Sequence, residues 1–340
     1  MKRSVCAGIS LLMMAALALP ALAQSEAENN AYRIFYNEKD PKMKIEAGEK
    51  FLTEFKESTY RSPILQTILG AYVQSQNWAK VIEHGDKLQT ELPNADARTK
   101  ATLYTFAMAA AQSANNAAKT IDFGEKVLAA DPNNLNAQLL VASTIPQTMP
   151  QDKGANDKAL DLAAKALGGV AQYFSQPKPA NMTDAQWKAA RAEYDEQLHS
   201  AVGLIHFNRA DYPKAADEYQ AVIKSNPKDA VARFYLGLAY RNQAAEASKA
   251  VLAAIQAFDA ARTARAPQPE IDELDAKRQG LQADFQNKRD KALDELASAV
   301  AIGGAVTQQA RPALDNLYTT KNSSLDGIDE FIQQKKQQLQ

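Results

Sequence analysis

The sequence predicts an all-α protein: a solenoid of antiparallel helix pairs closed by a long C-terminal helical cap. Three observations carry this. The phrase Ile–acid–x–Gly–acid–Lys occurs at 45–50 (IEAGEK), 82–87 (IEHGDK) and 121–126 (IDFGEK). Pro93 and Pro132 are separated by 132 − 93 = 39 residues, the same step as the last two copies of the phrase. No window sustains the two-residue apolar alternation of a half-buried strand. A repeat of this length describes one supersecondary unit that cannot bury its apolar face alone, so stacking of several units is required.

The first residues read as an export signal. Lys2 and Arg3 are a positive n-region, Val5 to Leu19 is apolar, Pro20 breaks the run, and Ala21-Leu22-Ala23 is an A-x-A cleavage site. Cleavage is expected before Gln24, giving a signal peptide over 1–23. The apolar run is shorter than the about 20 residues of a membrane helix. No Cys stands at the cleavage point for lipidation, and the only cysteine, Cys6, lies inside the signal. The mature chain is therefore expected to lack any thiol, disulfide or Cys-based metal site. Losing Lys2 and Arg3 takes the net charge from −1 to −3. That balance points to neither nucleic acid nor an anionic membrane surface. The expected location is the periplasm, as a soluble exported protein.

An N-terminal helical array is expected over 24–174. With Pro93 and Pro132 closing their units, two units run 62–95 and 101–134, and an earlier one begins near Ser25. Each copy of the phrase is then the middle of a second helix. Glycine inside a helix costs about 1 kcal/mol relative to alanine. Gly48, Gly85 and Gly124 at one structural position imply a close helix–helix crossing there, or else simple descent from one ancestral repeat. The flanking acids and lysines read most simply as a solvated face. Residues 135–172 read as a further hairpin, with a loop from Pro146 to Asn156. Residues 175–182, SQPKPANM, form a polar, Pro-containing linker and a candidate boundary. Thr183-Asp184 then looks like a helix N-terminus.

The clearest unit is 196–229, with Gly203, Ala215, Tyr219 and Pro227 at places 8, 20, 24 and 32 of a 34-residue period. Next come Leu236-Gly237-x-x-Tyr240 and Ala254-x3-Phe258, with about five extra residues expected between two helices around Asn242 to Ser248. These residues resemble the tetratricopeptide repeat, closely over 196–265 and loosely elsewhere, so that 183–267 is expected to hold C-terminal repeats of this type. Small residues at places 8 and 20 let paired helices approach, and the aromatic at 24 fills the gap to the next hairpin. Proline at 32 ends the unit. After Pro269 the signal fades into a helical cap over 268–340. Ile271, Leu274, Arg278, Leu281, Phe285, Lys288 and Ala292 have heptad spacing, which fits a capping helix or a dimeric coiled coil. The terminal GIDEFIQQKKQQLQ places Ile328, Phe331 and Ile332 on one face, to cap the solenoid or dock a partner.

Catalytic signatures are missing. There is no nucleotide-binding glycine loop, nucleophile elbow, H-E-x-x-H or C-x-x-C. The histidines are His84, His199 and His206. Asp195 and His199, four apart, have helix-face spacing, and His206 reads as packing. No catalytic, metal-binding or cofactor residue is expected. The resemblance instead implies a groove lined by the first helix of each unit. Its partner-binding candidates are Leu204, Phe207, Asn208, Phe234, Leu238, Arg241 and Asn242. The asparagines offer a donor and an acceptor to an extended peptide, Phe207, Phe234 and Leu238 apolar contact, and Arg241 a carboxylate partner. Solvent-facing and helix-capping roles fit the same residues. The lysines with which some family members clamp a C-terminal carboxylate are absent from the N-terminal groove positions, such as Gln66, Gln74, Thr102 and Gln112. The expected function is a non-catalytic envelope scaffold holding a protein or peptide segment. The alternatives are self-assembly through the C-terminal helices and an enzyme with its site in the C-terminal region.

Overall fold

A computed structural model describes residues 25–339, so the export signal lies outside the described residues. Among them every regular element is an α-helix and no strand occurs. The helices are α1 (Glu26–Asn37), α2 (Pro41–Glu54), α3 (Arg61–Gln74), α4 (Trp78–Glu91), α5 (Ala97–Ser113), α6 (Ala117–Ala130) and α7 (Leu135–Thr148). They continue with α8 (Lys153–Phe174), α9 (Asp184–Asn208), α10 (Tyr212–Ser225), α11 (Ala230–Thr263), α12 (Gln268–Ile302), α13 (Thr307–Asn322) and α14 (Ile328–Gln338). Most begin at a side-chain cap. Ser25, Asp40, Asn77, Asp96, Asn116, Asp152, Thr183 and Asp229 each accept an otherwise orphaned backbone N–H. Thr183 forms a full capping box with Gln186, as its position predicts.

The chain divides into two compact units at Val141/Ala142, inside α7. Residues 175–182 join α8 to α9, which pack on each other within the second unit.

In the first unit, hairpins α3–α4 and α5–α6 fall where the repeat phase predicts, with Pro93 and Pro132 in the loops that follow them. The turns inside these hairpins share one design. Asn77 N–H bonds the Tyr72 carbonyl and Asn116 N–H the Ala111 carbonyl, while Gln76 and Asn115 take left-handed φ of 56° and 53°. This six-to-one closure consumes the last carbonyls of the first helix. The next residue, Asn77 or Asn116, caps the second helix, so three residues reverse the chain.

The glycine phrase marks close crossings, as expected. A Cβ on Gly48 would lie 2.7 Å from Ile68 Cγ2 of α3, and one on Gly85 2.5 Å from Ala107 Cβ of α5. One on Gly124 would overlap Val141 of α7. Each second helix thus seats its glycine against the first helix of the following pair. The acid after the glycine is not simply solvated. Glu49 meets His84 on α4, and Asp86 pairs with Lys119 on α6. The phrase therefore also ties consecutive second helices together.

In the second unit α9–α10 is the predicted hairpin. Tyr219 is buried and stacks on Tyr235 of α11 at 5.4 Å. Gly203 makes room for it, since a Cβ there would lie 3.1 Å from the Tyr219 ring. The hairpin expected over 230–265 does not form. α11 runs unbroken through Asn242–Ser248, where neither Gly nor Pro interrupts a run of good helix formers. Its partner is α12, which folds back along it after a turn at Arg265, φ 55°. α12 packs along α11: Arg278, a heptad position, lies over the Phe258 ring, and Leu296, outside that heptad phase, fills the space left by Gly237. The coiled-coil partner is thus another helix of the same chain. Ile328 and Ile332 of α14 bury in one core with Leu296 and Leu314, so the terminal helix caps this core. The loop between α7 and α8 is shorter than expected, because both helices extend into it and α7 runs past Pro146.

Candidate functional site

A concavity of about 460 Å³ opens in the second unit. One wall is α9, with Glu196, Gln197, Ser200 and Leu204 at successive turns. Opposite stand Ser143 and Gln147 of α7, and the third side is the start of α11 with Asp229, Val231 and Tyr235. Tyr219 of α10 forms the floor. Val231 is 53 % exposed, an uncovered apolar side chain at the rim. The lining offers apolar surface, two carboxylates, two amides and hydroxyls, but no lysine, arginine or histidine.

The seven sequence candidates scatter. Leu204 lines the concavity. Phe207 lies beside it, edge-on to Tyr212 and Tyr235 at 5.5 Å each. Asn208 donates its amide to the Pro146 carbonyl at 3.0 Å and so satisfies an acceptor at the end of α7. Phe234 is 6 % exposed in the core with Leu293 and Leu314, and Leu238 packs on that core. Phe234 is therefore out of a partner's reach behind α12, while Leu238 stays half-buried at the edge of that core. Arg241 and Asn242 are half-buried further along α11. Gln197 and Ser200 of α9 and Val231 of α11 also line the cavity. Glu196, Asp229 and Tyr235 were missed. Asp229, before a helix and after Pro227, was readable as a cap; the wall from α7 was not.

The first unit holds a buried polar network that the sequence did not flag. His84 donates from Nε2 to Glu49 at 2.9 Å and from Nδ1 to Glu91 at 3.1 Å. Burial alone would push its pKa down, but hydrogen bonds and charge from both glutamates prevail and hold it at about 9. The imidazole is therefore a cation at neutral pH. The Tyr72 hydroxyl donates to Glu49 at 2.9 Å, and burial and that carboxylate push it up. The His84 hydrogen bond outweighs burial at Glu49 and keeps its carboxyl low. Arg61, also buried, donates to the Glu91 carbonyl at 2.9 Å, the Phe55 carbonyl at 3.2 Å and the Leu52 carbonyl, joining the ends of α2 and α4. Every group is partnered within the fold, which marks a structural clasp.

His199 pairs with Glu218 at 2.6 Å rather than with Asp195, and that hydrogen bond raises its pKa. His206 lies 3.6 Å from Asp211 and burial lowers it. Among the described residues no group of three or more His, Cys, Asp or Glu side chains is placed to hold a metal ion, and no helix is long and apolar enough to cross a membrane.

No protein-family model matches the chain, and no curated protein matches it. Among solved structures, a tetratricopeptide repeat protein from Parabacteroides merdae aligns with a TM-score of 0.41 at 10 % identity, over 86 % of this chain and 100 % of that one. So distant a likeness carries no conclusion about function.

Proposed function

We propose that this chain is a non-catalytic scaffold that holds a protein or peptide segment in the concavity of its second unit. The observation that carries this is the cavity itself: Gln197, Ser200, Leu204 and Val231 converge on it from α9 and the start of α11. Amides and hydroxyls beside apolar side chains suit an extended backbone with alternating side chains. Export to the periplasm is part of the proposal and is supported by the charged, apolar and A-x-A segments before Gln24.

The test is site-specific photocrosslinking in cells. Val231 carries the probe, because Phe234 is buried; Lys214 on α10 is the exposed control. A discrete adduct at Val231 and none at Lys214 is expected. Equal labelling at both positions, or none at Val231 in well-exported protein, overturns the proposal.

A further inference from the structure

We propose that the segment held in this concavity presents a lysine or arginine side chain flanked by apolar residues; this rests on the groove-binding proposal above. Charge complementarity in a walled site points to such a side chain. Glu196 and Asp229 both line the cavity, and no basic side chain does. Their present partners are neutral. Glu196 accepts from Ser225 Oγ and Asn226 Nδ2, both at a long 3.3 Å, and Asp229 accepts from the backbone N–H groups of Val231 and Ala232 at 2.9 Å. Arg233, within a turn of Asp229, is committed elsewhere: it donates to Glu295 at 2.6 Å and to the Pro227 carbonyl at 2.8 Å. Neither carboxylate forms an ion pair among the described residues: Asp229 is held by the N-terminus of α11 and Glu196 by two neutral donors.

The remaining walls fit the rest of such a side chain. Long basic residues lay an aliphatic stem on apolar surface and keep the charged head at a polar edge. Here Leu204 and Val231 offer that surface next to the two carboxylates, and the half-buried Tyr235 ring stacks on Tyr219 at the cavity wall. Gln147, Gln197 and Ser200 remain for the flanking backbone. A peptide carrying a carboxylate in place of the basic group would meet like charge from two directions, which disfavours binding. The cavity volume lies within the range of ligand clefts. The inference thus reverses the polarity of a carboxylate clamp: the protein supplies the anions and the partner the cation.

Selection of random peptides on the purified mature chain tests this. Enrichment of lysine or arginine between apolar residues is expected. A selected peptide should lose about tenfold in affinity when its basic residue becomes norleucine. Glu196→Gln, whose Oε1 can still accept from Asn226 Nδ2 while its amide donates to Ser225 Oγ, should erase most of that difference. Glu196→Lys should favour the glutamate version of the peptide. Val231→Arg, which adds bulk and positive charge at the rim, reports whether the peptide sits in the concavity. Peptides blocked by Val231→Arg but indifferent to their own charge overturn this inference and leave the groove proposal standing. Peptides unaffected by Val231→Arg, or no peptides at all, overturn both. Spermidine binding as tightly as the peptides, with the same Glu196 dependence, also overturns it, since a free polyamine then suffices.

Discussion

His84 shows what a single buried cation does here. Its pKa is about 9 in the fold against 6.5 ordinarily, so its stabilising contribution is complete below pH 6.5 and disappears as pH rises through 9. Glu49 has the opposite sign: its lowered pKa contributes above its ordinary 4.5 and is lost as pH falls. His84→Gln should therefore cost about 2 kcal/mol below pH 6.5, and the gap to the parent should close above pH 9. Thermal unfolding of both proteins across that range checks it; a gap independent of pH refutes the charged-histidine account. At the hairpin turn Ala210 is held at φ 58°, a left-handed geometry costing an alanine about 1 kcal/mol or more. Ala210→Gly relieves this and loses part of the gain to unfolded-chain entropy. A net gain of about 0.5 kcal/mol is expected in denaturant unfolding, and a loss would mean the turn is not strained.

Helix-to-helix spacing is set by glycines whose environments differ. Gly85 has Ala107 Cβ 2.5 Å from where its own Cβ would stand, and neither element can yield without moving backbone. A Cβ on Gly70, inside α3, would meet nothing beyond its own helix within 4 Å. Alanine improves helix propensity by about 1 kcal/mol at both. At Gly85 overpacking of about 1–3 kcal/mol outweighs it, so Gly85→Ala should destabilise and Gly70→Ala should stabilise. Opposite signs in parallel denaturation curves are the expected result. The crossing at the glycine phrase was legible because the phrase repeats: three copies at one phase separate a packing rule from chance. The course of α11 was not legible. Ala254 and Phe258 sit at the spacing of a second repeat helix, yet they continue the first. Nothing between Asn242 and Ser248 breaks a helix, and the alanines there allow α12 to lie close.

For the molecule as a whole, the exported form should begin at Gln24 and contain no thiol, because Cys6 precedes the cut. N-terminal sequencing of the periplasmic fraction, with maleimide labelling, checks both; labelled mature protein would place the cut before Cys6. Such a chain relies on packing and on polar ties between its helices. In its second unit, residues far apart in sequence do this work: Arg233 with Glu295, and Lys335 with Asp294.

By itself the sequence determined the all-α class, the repeat phase of the hairpins, the capped helix starts and the small residues at close crossings. These are local or periodic properties, written in spacing and in cap residues next to one another. The tertiary structure alone decided which faces stay open. Burial of Phe234 depends on α12 returning along α11, and the concavity depends on α7 standing opposite α9. Surface left uncovered is a property of how helices pack, and one helix's residues do not record what its neighbour leaves exposed.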